Sequence, residues 1–90
     1  MKNHFQEGIE LRNKIKELIF DFIKQNPECK ARESGLKQTV IFRECGMDWG
    51  NKKKVTSGRQ QFWVNAILRE LEDEGVIMQD AETNKWRLSN

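Results

Sequence analysis

The stretch Asn65-Ala-Ile-Leu-Arg-Glu-Leu-Glu-Asp-Glu-Gly-Val-Ile-Met-Gln-Asp-Ala-Glu-Thr-Asn-Lys-Trp-Arg-Leu88 decides the fold. With Val64 just before it, Ile67, Leu68 and Leu71 fall at the i, i+3, i+4, i+7 positions that stripe one face of a helix. Gly75 stands where a left-handed residue lets a helix stop and the chain reverse. Residues 76–79 then read as extended, and 80–84 are polar and turn-prone. In the return segment Trp86 and Leu88 alternate with Lys85 and Arg87, which divides it into an apolar and a basic face. The expectation is a helix closed by glycine and followed at once by a hairpin over 76–88.

Working back from that stretch, Thr56 or Ser57 offers a capping oxygen, so the helix is expected over 57–74. Residues 47–55 form a glycine-flanked basic loop, longer than the turn of a compact helix-turn-helix. A shorter helix is expected over 39–46, with Val40, Ile41 and Cys45 facing the core, Phe42 flanking them and Gly46 ending it. The charged segment 28–34 reads as a loop, and 35–37 as a short strand able to pair with the hairpin. Leu11, Ile15, Leu18, Ile19 and Phe22 recur at helical spacing, which predicts a first helix over 7–26, stopped by Pro27. Residues 1–6 are expected to fray. The sum is one domain over 1–90, mainly α with a small antiparallel sheet: three helices plus a C-terminal β-hairpin.

That order resembles the winged helix-turn-helix family. The residues that carry the resemblance are Ala66-Ile-Leu-Arg-Glu-Leu-Glu-Asp-Glu-Gly-Val-Ile77, which look like the end of the recognition helix and first wing strand of GntR-type and related bacterial regulators. The resemblance implies a hairpin that serves as a wing, and it places residues matching Gln61, Trp63 and Asn65 on the side of the helix that commonly meets DNA. Winged helices also serve as dimerisation and protein-docking modules, so the fold by itself leaves that alternative open.

The formal charge is only +2, but it is unevenly spread. No acid occurs between Trp49 and Arg69, a stretch that holds Lys52, Lys53, Lys54 and Arg59; four acids then crowd residues 70–74. Helical geometry sets Gln61, Asn65 and Arg69 along one exposed edge, and these are side chains able to present paired groups to adenine or guanine in the major groove. Lys52, Lys53 and Lys54 suit phosphates as mobile point charges. Ser57 and Arg59 at a helix start could add a backbone donor and a charge. Lys85 and Arg87 are the candidates for contact by the hairpin, with Asp80 and Glu82 opposing deep insertion. Trp49 and Phe62 either cover one another or form a protein interface.

These features point to double-stranded DNA binding by a small transcriptional regulator or mobile-element protein. The alternative is a protein-interaction or dimerisation module without DNA binding, using Phe62, Trp49 and the first helix. A homodimer is compatible with either reading, because two half-sites multiply the affinity of one small module. The inventory argues against an enzyme, since neither a nucleophile–base arrangement nor a glycine-rich phosphate loop is present. Cys29, Cys45 and His4 do not make a zinc pattern, and both thiols read as ordinary small residues. No cofactor, metal or small-molecule ligand is expected. With no apolar run of about 20 residues and no signal-peptide core, a cytoplasmic protein without membrane contact is expected.

Overall fold

Asn3 opens the first helix: its side-chain oxygen accepts from the Gln6 backbone N–H at 3.1 Å, and α1 runs His4–Gln25. In the computed structural model, residues 3–47 and 62–90 are described, 62–64 as backbone only. The start of α1 corrects the expected fraying of 1–6 for residues 4–6. Asn3 followed three residues later by Gln6 is a capping-box pattern, and Glu7 adds an acid to the first turn, where the helix dipole favours it. Asn26 leaves the helix with ψ 122, as the following proline requires, and its side chain caps a short 3-10 turn, Pro27–Cys29, through the Glu28 N–H. Within the expected 28–34 loop, Cys29 is therefore ordered and fully buried.

The expected strand over 35–37 is a single antiparallel bridge, in which Leu36 and Trp86 exchange both backbone hydrogen bonds, at 2.9 and 2.7 Å. Gly35 precedes it at φ +81. A Cβ there would lie 2.5 Å from the Trp86 carbonyl oxygen, so only glycine lets the two backbones meet. Helix α2 follows as Gln38–Glu44. It buries Ile41 and Phe42 completely, while Val40 and Cys45 are half-buried. Phe42 is thus core rather than flank: on so short a helix the bulkiest side chain fills the space against the other elements.

Helix α3 is Phe62–Asp73, its expected beginning at 57 lying outside the described residues. Ile67, Leu68 and Leu71 are buried, as their spacing predicts. Gly75, at φ +78, ends the helix in a Schellman arrangement: its N–H donates to the Glu72 carbonyl at 2.9 Å, and that of Val76 to Leu71 at 3.3 Å. The chain then forms β1, Ile77–Gln79, and β2, Trp86–Leu88, antiparallel with Ile77 opposite Leu88 and Gln79 opposite Trp86.

The core gathers Ile19 and Ile23 of α1, Cys29, the α2 pair, the α3 stripe, Ile77 and Trp86. Each fully buried side chain of this size contributes about 1.5–3 kcal/mol of apolar transfer. On α1 the buried line is Ile19 and Ile23; Ile15 and Phe22 are half-buried, and Leu11 and Leu18 are exposed. The apolar stripe read from the sequence is therefore wider than the face the core covers. Among the described residues, no helix is long and apolar enough to cross a membrane.

Candidate nucleic-acid interface

Steps of 100° along α3 send Glu70 and Glu74 to one flank of its buried stripe and Asn65 and Arg69 to the other. The first flank packs on α1. Arg12 pairs with Glu70, and Lys16 pairs with both Glu74 and Glu70, the latter at 3.0 Å. Arg12 and then Lys16 hold the Glu70 carboxyl below its ordinary value of 4.5, while Glu74 and then Glu70 raise the Lys16 ammonium above 10.5. The acids that follow the basic stretch in sequence are thus partly consumed in docking α3 to α1.

The second flank is different. The Arg69 guanidinium lies 5.0 Å from the centre of the Trp86 ring, so an exposed cation covers a fully buried aromatic. Arg69 also donates to Glu72 at 3.1 Å. Among the described residues, the buried Trp86 Nε1 has no hydrogen-bond partner, and neither has the buried Oδ1 of half-buried Asn65, one turn before Arg69. A lone buried donor or acceptor costs about 1–3 kcal/mol.

Beside Arg69 a polar cleft opens between the start of α2 and the hairpin. Lys37, Gln38 and Thr39 line one side, and Gln79, Thr83 and Asn84 the other. Among the described residues no carboxylate lines it. The hairpin wall is shaped locally: Asp80 Oδ1 accepts from the N–H groups of Glu82 at 2.8 Å and Thr83 at 3.2 Å, and Asn84 takes φ 62 to close the turn. Those two N–H bonds hold the Asp80 carboxyl below its ordinary range. Asp80 also accepts from Arg87 at 3.4 Å, so this acid organises the turn rather than merely opposing an approach.

Comparison with protein families, curated proteins and solved structures gave no match. The site therefore stands on its own residues. Of the candidates for base contact, Arg69 is exposed, Asn65 is half-buried rather than on an open edge, and Gln61 lies outside the described residues. Lys52, Lys53, Lys54, Ser57, Arg59 and Trp49 also lie outside the described residues, and for Phe62 and Trp63 only the backbone is described. On the hairpin, Lys85 and Arg87 are both half-buried; Arg87 is tied to Asp80, and Lys85 makes no ion pair among the described residues.

Lys37, Gln38 and Thr39 went unrecognised in the sequence. The signal was present: a segment at 35–37 that pairs with the hairpin must deliver the next residues to the hairpin's side. Among the described residues no group of three or more His, Cys, Asp or Glu is placed to hold a metal. The Cys29 thiol is pushed up to about 11, chiefly by burial, so it is protonated and unreactive near neutrality.

Proposed function

We propose that this chain is a winged helix-turn-helix domain that binds double-stranded DNA, with α3 as the recognition helix and the hairpin as its wing. The observation that carries the reading is the division of charge across α3. Glu70 and Glu74 face α1, whereas the flank beside the wing offers Arg69, paired only to Glu72 among the described residues, and a cleft that those residues line with amides, a hydroxyl-bearing pair and Lys37 but no carboxylate. Such a surface suits a polyanion that carries hydrogen-bonding base edges.

In this arrangement Arg69 and Gln61 read base edges in the major groove, and Asn65 assists from its half-buried position. The Arg69–Glu72 pair is no obstacle, since an exposed pair of this spacing is worth only about 0.2–0.5 kcal/mol. Lys52, Lys53, Lys54, Ser57 and Arg59 hold phosphates before the helix, and Lys37 holds one beside the wing. Of the two wing cations Lys85 is the available one, because Asp80 engages Arg87. The biological role that fits is a small transcriptional regulator or a mobile-element DNA-binding protein.

Selection from a random duplex library tests this. The wild-type chain should enrich a short consensus, and Arg69→Ala should relax the preference at one position. Recovery of unselected sequence by the wild type would refute base reading by α3.

A further inference from the structure

Helix α1 carries an apolar seam that its own core does not cover. Gly8, Leu11, Ile15, Leu18 and Phe22 recur at alternating steps of three and four, the heptad spacing of a helix that packs along a second helix. Leu11 is 54% exposed and Leu18 46%, while Ile15 and Phe22 show one edge to the surface and pack the other on the core. At Gly8 a Cβ would meet nothing within 4 Å, so the seam stays open there as well.

We propose that a second copy of this chain docks on that seam, α1 against α1, antiparallel about a two-fold axis. The charges beside the seam select this occupant. In the antiparallel register that sets Leu11 against Phe22 of the partner subunit and Ile15 against Leu18 of the partner subunit, Lys14 falls beside Asp21 of the partner subunit. Symmetry repeats that pair, as an isologous contact must. Both residues are exposed; among the described residues Lys14 makes no ion pair and Asp21 accepts only a same-helix bond from Gln25, at 2.9 Å. A parallel pairing would instead set Lys14 opposite Ile19 and Asp21 opposite Asn26, so neither charge would meet its opposite. One register thus satisfies the apolar seam and its flanking charges together.

The contact does not rest on the DNA reading and is tested without nucleic acid. Sedimentation equilibrium over a wide concentration range should show a reversible monomer–dimer equilibrium. Leu18→Glu should weaken it at least about a hundredfold, because both copies lose a buried leucine at the seam. Lys14→Asp alone and Asp21→Lys alone should each weaken it by about tenfold, and the double exchange should restore it, since the opposite charges are then merely swapped. All three positions are exposed, and circular dichroism melts check that each variant stays folded. A wild-type chain that remains monomeric at every concentration overturns the proposal. So does a dimer indifferent to Leu18→Glu, or one that the double exchange fails to restore.

Discussion

The two flanks of α3 use charge in opposite ways. Toward α1, Glu70 and Glu74 are matched by Arg12 and Lys16, and each ion finds its counterion within the fold. Toward the hairpin, Arg69 stacks on Trp86 and keeps one weak partner, while a buried acceptor of Asn65 and donor of Trp86 find no partner among the described residues. The two flanks thus differ in how completely the described residues satisfy their own polar groups. Two acids of the cluster after residue 69, Glu70 and Glu74, which in sequence look like a counterweight to a basic helix, dock α3 on α1, while Glu72 pairs with Arg69.

The sharpest way to break the contrast is at Gly35. Gly35→Ala forces a side chain into left-handed geometry and against the Trp86 backbone, so the bridge that holds α2 beside the hairpin opens. Chemical denaturation should show a loss of about 2–4 kcal/mol. The ion pairs between α1 and α3 are remote from this bridge and should survive it.

Arg69→Ala sharpens the contrast from the other direction. It should cost about 1–3 kcal/mol of discrimination between preferred and altered duplexes, read by competition binding. Its effect on stability should be smaller, about 0.5–1 kcal/mol for the lost stacking on Trp86. A large stability loss with unaltered DNA preference would make Arg69 a lid on Trp86 and nothing more.

The α1-facing flank should respond to pH instead. Glu70 has its pKa lowered in the folded chain, so its contribution is complete above the ordinary value of 4.5 and is lost as pH falls through the lower folded value. Lys16 has its pKa raised, so its share is complete below 10.5 and is lost as pH rises through the higher folded value. Glu70→Gln should lower stability at neutral pH by about 1 kcal/mol or less, as partly exposed pairs do, and should flatten the acid limb of a melting-temperature profile. DNA binding should be unchanged by it.

The smallest effect is expected at Gly8, on the exposed side of α1. Gly8→Ala should stabilise the chain by about 0.5–1 kcal/mol, since the helix gains propensity and the added methyl meets nothing. A thermal melt checks it.

Periodicity made the α3 stripe, the glycine stop and the hairpin legible, because Ile67, Leu68, Leu71 and Gly75 answer to local geometry alone. The helix start at His4 is legible only through the Asn3–Gln6 cap, because residues 3–6 are exposed and add nothing to the buried apolar stripe. Phe42 was not, because which side of a seven-residue helix faces inward depends on elements distant in sequence. Nor was the width of the α1 stripe: spacing reports which side chains share a face, and tertiary packing decides how much of that face is covered. At the candidate site, Arg69 followed from helical steps. Lys37 and the hairpin amides depended on the Leu36–Trp86 bridge, a contact between residues fifty positions apart.

Fluorescence anisotropy with labelled random-sequence duplex at several salt concentrations, with a single strand of equal length as control, tests the central claim most directly. Roughly micromolar duplex binding that weakens steeply with salt is the predicted result. Converting Lys52, Lys53 and Lys54 together to alanine should then lower the salt slope by up to about 3. Absence of duplex binding at the lowest salt, or equal preference for the single strand, would contradict the account.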